Sequence, residues 1–107
     1  MQYLLLICGE EASEGTREEQ PGDIERWLAE NETRRLLGSQ LAPPSDATTV
    51  RMRYGKLMLT DGPYAETKEW IAGFDLIECE NLDEAIEIAS RHPVAGVGMI
   101  EIRPVHS

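Results

Sequence analysis

Hydrophobic positions along the chain fall into short runs whose spacing changes from element to element. Tyr3-Leu4-Leu5-Leu6-Ile7-Cys8 is unbroken, too short for a helix and followed by Gly9, which predicts a central strand covered on both faces. Gly9 to Gln20 reads as a surface connection, in which Thr16-Arg17-Glu18-Glu19 has capping-box spacing and offers an early helix start. The firm helix is expected from Pro21, with Ile24, Trp27 and Leu28 as its apolar stripe and Asn31 as its stop. Leu36-Leu37-Gly38-Ser39-Gln40-Leu41 predicts a second strand in which the glycine hosts a bulge, ended by Pro43-Pro44-Ser45-Asp46. Thr48 to Arg53 alternates, Tyr54-Gly55-Lys56 turns and Leu57 to Thr60 returns, as in a hairpin. Gly73 to Glu80 is a further strand, and Asn81 with Glu84 three residues on caps a helix whose stripe is Leu82, Ala85, Ile86 and Ala89, ended by Pro93. Gly98 to Arg103 is the last strand.

The order is β, α, β, hairpin, β, α, β, which fits an α+β, ferredoxin-like (split βαβ) sheet with an inserted hairpin, as one domain over residues 1–107. Two helices cover one face of such a sheet. Because the first strand is apolar at every position, the second face needs a partner, and a two-fold homodimer packed sheet on sheet supplies one.

Composition narrows the partners further. Twenty acids against ten bases give a net charge of −10, and Glu10 to Glu32 holds nine acids against Arg17 and Arg26. That field repels phosphate backbones, so no nucleic acid is expected. No run approaches the ~20 apolar residues of a membrane span, and Met1-Gln2-Tyr3-Leu4 lacks the features of a signal peptide, so a cytoplasmic protein without membrane association is expected. Cys8 and Cys79 end apolar runs, where a reduced thiol behaves as a small hydrophobe, and they are too few for a zinc motif. Gly96-Val97-Gly98 lacks the third glycine of a dinucleotide loop; neither cofactor nor metal is expected. His92, at a helix end, is read as a group favoured by the helix dipole, and His106 as a solvated tail residue.

Chemically capable side chains concentrate in Thr60-Asp61-Gly62-Pro63-Tyr64-Ala65-Glu66-Thr67-Lys68-Glu69-Trp70. Asp61 before Gly-Pro has a bland explanation, since an aspartate there holds a turn by accepting backbone N–H groups. Turn chemistry does not explain Glu66 and Lys68, which together offer an acid and a base.

These residues also carry a resemblance. Asp61 to Glu69, with Gly73-Phe74-Asp75-Leu76-Ile77, Leu82-Asp83-Glu84-Ala85 and Ile100-Glu101-Ile102-Arg103-Pro104-Val105, resembles the DGPF family of YCII-related proteins over nearly the whole chain. The resemblance implies a ferredoxin-like fold forming a dimeric α+β barrel. Tyr64 stands where the family usually has phenylalanine, and neither His92 nor His106 matches the catalytic histidine of the wider superfamily.

The expectation is therefore a homodimer that binds an unknown small molecule, with proton transfer by Asp61, Glu66 and Lys68 and with Tyr64 and Arg103 as substrate contacts. Arg103 is either an anion clamp or half of a strand-to-loop salt bridge. The alternative is a non-catalytic accessory or regulatory protein, because the resemblance also implies relatives encoded beside extracytoplasmic-function sigma factors. Its docking surface would be the acidic segment.

Overall fold

Strand β1 (Gln2–Glu10) lies inside a four-stranded sheet with β2 (Arg35–Gln40), β5 (Glu69–Glu78) and β6 (Met99–Pro104), in the order β2-β5-β1-β6 with every neighbour antiparallel. The computed structural model describes residues 1–10, 13–63 and 69–106, with Glu69 described by its backbone alone. Helix α1 (Asp23–Glu30) joins β1 to β2 and helix α2 (Leu82–Ser90) joins β5 to β6, so each βαβ connection skips one strand. That interleaving makes a split βαβ sheet. Among the described residues no helix is long and apolar enough to cross a membrane.

Side-chain alternation divides the sheet sharply. Tyr3, Leu5, Ile7 and Ile77 point to the helix side, where they form the core with Trp27, Ala85, Ile88 and Ala89. On the other side Leu4, Leu6, Phe74 and Leu76 are half-buried, while Leu37 and Met99 are exposed. The continuous apolar run of β1 is therefore dry on one face only within a single chain.

Strands β3 (Thr48–Arg53) and β4 (Lys56–Asp61) form a separate hairpin. Its turn residues Tyr54 (φ 52°) and Gly55 (φ 72°) are both left-handed, the conformation whose twist matches two-residue hairpins. Val50, Met52, Leu57 and Leu59 share one face through cross-strand pairing, and all four are more than half exposed. The hairpin stands away from the sheet, and the radius of gyration is 15.8 Å, against about 13 Å for an ordinary domain of this length.

Several boundaries and roles differ from the sequence reading. The chain turns at Pro21 and Gly22, and α1 begins only at Asp23, whose carboxylate accepts the Gln20 N–H at 2.9 Å. No helix starts at Thr16, whose hydroxyl instead donates to the Ser13 carbonyl. The register shift in β2 falls between Arg35 and Leu37, not at Gly38. Strand β5 begins at Glu69, four residues earlier than expected, and β4 carries Asp61 as its last residue. In α2 the buried set is Ala85, Ile88 and Ala89, leaving Leu82 and Ile86 about half exposed. Asn81 does cap this helix, its side chain accepting the Glu84 N–H at 2.9 Å. Neither cysteine is in a disulfide: the Cys79 N–H donates to the Met1 carbonyl just before β1, while Cys8 lies near the strand's far end. Seven residues of strand, roughly 20 Å, separate those ends.

Candidate functional site

Of the five residues singled out for chemistry, Tyr64, Glu66 and Lys68 lie outside the described residues. Asp61 is exposed at the base of the hairpin, paired across to Thr48. Its neighbour Gly62 is tied to the hairpin by its N–H, which donates to the Ala47 carbonyl (2.6 Å), and by its carbonyl, which accepts from the Thr49 hydroxyl (2.8 Å). Arg103 is exposed on β6 and pairs with Glu101 of the same strand at 3.4 Å. Asp61 and Arg103 thus belong to different sheets, and no described contact joins them.

A cleft of about 330 Å³ opens elsewhere, between α1, the end of α2 and the 3-10 turn Pro93–Gly96. Helical spacing places Asp23, Arg26, Trp27 and Glu30 along its α1 wall. The opposite wall is Ser90, Arg91, His92, Pro93 and Gly96. Arg17 closes one side, held there because its N–H donates to the Gly96 carbonyl at 2.7 Å.

Trp27 anchors the floor. Its indole N–H donates at 2.9 Å to the Ile88 carbonyl in the last turn of α2, which otherwise takes only a longer bond from the Arg91 N–H at 3.3 Å. His92 packs edge-on against it, ring centroids 4.6 Å apart, and is 5% exposed. The His92 Nδ1 accepts the Val94 N–H at 3.0 Å, so a neutral ring carries its proton on Nε2. Nε2 has no partner among the described residues, and no fully enclosed polar side-chain atom there is unpaired, so solvent must reach Nε2.

Burial pushes the His92 imidazole down to about 4. The expected dipole-stabilised cation is therefore a neutral buried ring, because desolvation outweighs the pull of the helix end. Arg17, Arg26 and Arg91 line the same cleft with Asp23 and Glu30. Asp23, its side chain 12% exposed, lies 3.8 Å from Arg17 and 3.5 Å from Arg26 and holds both at the cleft. Arg91 is held by Glu87 at 3.1 Å.

A second charged pair sits under the helix layer. Asp75, opposite Leu5, is buried and accepts from Arg35 Nε at 2.6 Å. Burial raises the Asp75 carboxyl and the Arg35 partner opposes that rise. Gly38 makes room for the pair, since a Cβ there would run into the Asp75 carboxylate, the Arg35 guanidinium and the Phe74 carbonyl. Sequence reasoning missed this pair, although its signal is present as an acid within the inward-facing series Gly73, Asp75, Ile77 and Cys79. Among the described residues, no group of three or more His, Cys, Asp or Glu is placed to hold a metal ion.

The pH dependence of stability follows from His92. The unfolded ring titrates near 6.5, so between about pH 6.5 and pH 4 the unfolded chain binds a proton that the folded chain refuses. This contribution is full above the upper value, falls steadily as pH drops towards the lower one and levels off below it. From about pH 7.5 to pH 5 the loss attributable to His92 should be about 2 kcal/mol. Urea denaturation of the wild type and His92→Asn at both pH values isolates it, because the opposing contribution of Asp75 is common to the two proteins. Equal pH slopes would show that the ring is not buried neutral.

An antiparallel sheet under two helices, with a polar cleft in the helix layer, defines a small α+β protein. The chain belongs to the YCII-related domain family, whose model matches residues 1–107. It is 42% identical over 69 residues to an uncharacterised protein of Rhizobium meliloti (strain 1021), a match spanning 63% of this chain and 56% of that one. The chain thus aligns with little more than half of that relative's length. A solved structure of 5-chloro-2-hydroxyhydroquinone dehydrochlorinase (TftG) from Burkholderia phenoliruptrix AC1100, in complex with 2,5-dihydroxybenzoquinone, is similar at 13% identity and a TM-score of 0.48, over 99% of this chain and 94% of that one. That superposition is too loose to carry anything about this chain's chemistry.

Proposed function

We propose that the protein binds a small molecule in the Trp27–His92 cleft and works as a two-fold dimer joined through the open face of its sheet. The observation that carries the binding role is a cleft of about 330 Å³ lined by the buried Trp27 and His92 together with charged side chains, within the size range of ligand sites. Two apolar surfaces not fully covered by the described residues support the dimer: Leu4, Leu6, Phe74 and Leu76 on the sheet, and Val50, Met52, Leu57 and Leu59 on the hairpin. Sheet-on-sheet packing would bury the first and give a dimeric α+β barrel. Proton transfer by Asp61, Glu66 and Lys68 would be a separate step, resting on what the loop contains.

A thermal-shift screen of small polar molecules tests the binding role, since a ligand at a hundredfold its Kd adds about 2.7 kcal/mol of stability. Hits should stabilise the wild type and lose most of their effect on His92→Asn, in which asparagine can still accept the Val94 N–H. Hits that survive this change but are lost in Glu66→Gln or Lys68→Met would move the site to the loop. Sedimentation at micromolar concentration should give a dimer, and a stable monomer would remove that part of the reading.

A further inference from the structure

We propose that the β3–β4 hairpin is an arm that lies apolar face down on the open sheet face of a second copy of the chain, with Tyr54 at its tip as the anchor. This rests on the dimer reading and on nothing in the cleft. The hairpin has two unlike faces. Cross-strand pairing puts Val50, Met52, Leu57 and Leu59 on one, all more than half exposed, and sets Arg51 opposite Met58 and Arg53 opposite Lys56 on the other. A two-stranded ribbon is marginal in water by itself and gains stability when its apolar face is covered. Its tip adds a second, independent observation. Tyr54 holds φ 52° where a two-residue hairpin turn favours asparagine, aspartate or glycine, so the backbone there is strained. The ring is fully exposed, so contacts within the chain do not offset that strain. Tyrosine is among the side chains that most often anchor interfaces.

Charge and size commit the arm to the body of a second copy. Hairpin residues 48–61 hold three bases and one acid, whereas the rest of the chain holds nineteen acids against seven bases. Two chains of net charge −10 repel each other, and an approach that sets the basic hairpin of one against the acidic body of the other relieves that repulsion. Hairpin packed on hairpin would instead bring bases near bases. It would also be too small, because a stable interface takes about 20–30 residues a side. The open sheet face supplies the larger surface, with Leu4, Leu6, Phe74 and Leu76 half-buried at its centre and Leu37 and Met99 exposed on its edge strands. A two-fold axis repeats the contact, each hairpin covering part of the other chain's sheet.

The test uses the full chain. Tyr54→Asn gives the turn a residue it prefers while removing the anchor. It should keep a dispersed ¹H–¹⁵N spectrum yet raise the dimer dissociation constant, read by sedimentation, by roughly tenfold or more, the scale of one anchor lost from an interface. Dimerisation equal to wild type would overturn the anchor role. The seat of the arm is read between chains, by equilibrating a ¹⁵N-labelled chain with one that carries a nitroxide on Lys56→Cys and has Cys8→Ala and Cys79→Ala. In the ¹⁵N chain the amides of Leu6, Leu37 and Phe74 should broaden more than those of the helix layer. Broadening concentrated on the hairpin amides, or on the helices, would overturn the sheet as the seat. A dimer that shows no broadening would overturn the arm and leave the dimer reading standing. Wild-type protein that sediments as a stable monomer at micromolar concentration would overturn both, and the binding role of the cleft is independent of all these outcomes.

Discussion

Replacing Trp27 with alanine should remove roughly 3–5 kcal/mol of stability, a large part of the 5–15 kcal/mol typical of a domain. Trp27 is 1% exposed and is the largest side chain fully enclosed among the described residues. It joins two things that would otherwise come apart. Its ring docks α1 on the core formed by Leu5, Ile77, Ala85 and Ile88, and its N–H reaches the Ile88 carbonyl at the end of α2. Alanine leaves a cavity that the sheet below cannot collapse into, and it strips His92 of the ring it packs against. Phenylalanine should cost less, about 1–2 kcal/mol, because the Ile88 carbonyl keeps a second, longer bond from the Arg91 N–H at 3.3 Å. Urea unfolding with an unchanged m value reads both numbers directly. A loss below about 1 kcal/mol for Trp27→Ala would mean that the helix layer is held by something other than this side chain.

Trp27 also shows what could be seen in the sequence and what could not. Its place on the buried stripe of α1 follows from spacing to Ile24 and Leu28, and the same reasoning found β1, the hairpin and the Asn81 cap, all set by neighbours within a few residues. The buried face of α2 was less legible because Leu82, Ala85, Ile86 and Ala89 satisfy the helical period as well as Ala85, Ile88 and Ala89 do. The choice between them came from Trp27, 61 positions away from Ile88. His92 was misread for the same reason: nothing beside it announces burial, and the ring that buries it comes from α1. The cleft draws on Arg17, α1, the end of α2 and the turn after it, so no local motif marks it. By contrast the loop after Asp61 is conspicuous in sequence, yet Tyr64, Glu66 and Lys68 lie outside the described residues, and Asp61 alone reveals no site.

The Arg35–Asp75 pair calls for a prediction whose sign changes with the number of substitutions. Arg35→Met alone should cost roughly 3–5 kcal/mol, because it strands a buried carboxylate. Asp75 would escape part of that penalty by taking up a proton, since burial already raises its carboxyl and Arg35 is the group opposing the rise. The single variant should therefore regain stability on acidification, in the direction opposite to the His92 effect. Arg35→Met combined with Asp75→Leu removes both charges and fills the space beside Leu5 and Gly38 with hydrocarbon, and should return to within about 1–2 kcal/mol of wild type, or exceed it. The double-mutant cycle, measured by urea unfolding at neutral pH, separates the pair from its surroundings. Additive losses would show that Arg35 and Asp75 act independently despite the 2.6 Å bond between them. A strongly favourable coupling with a near-neutral double variant would show instead that the pair adds little net stability, its charges compensating each other under the helices.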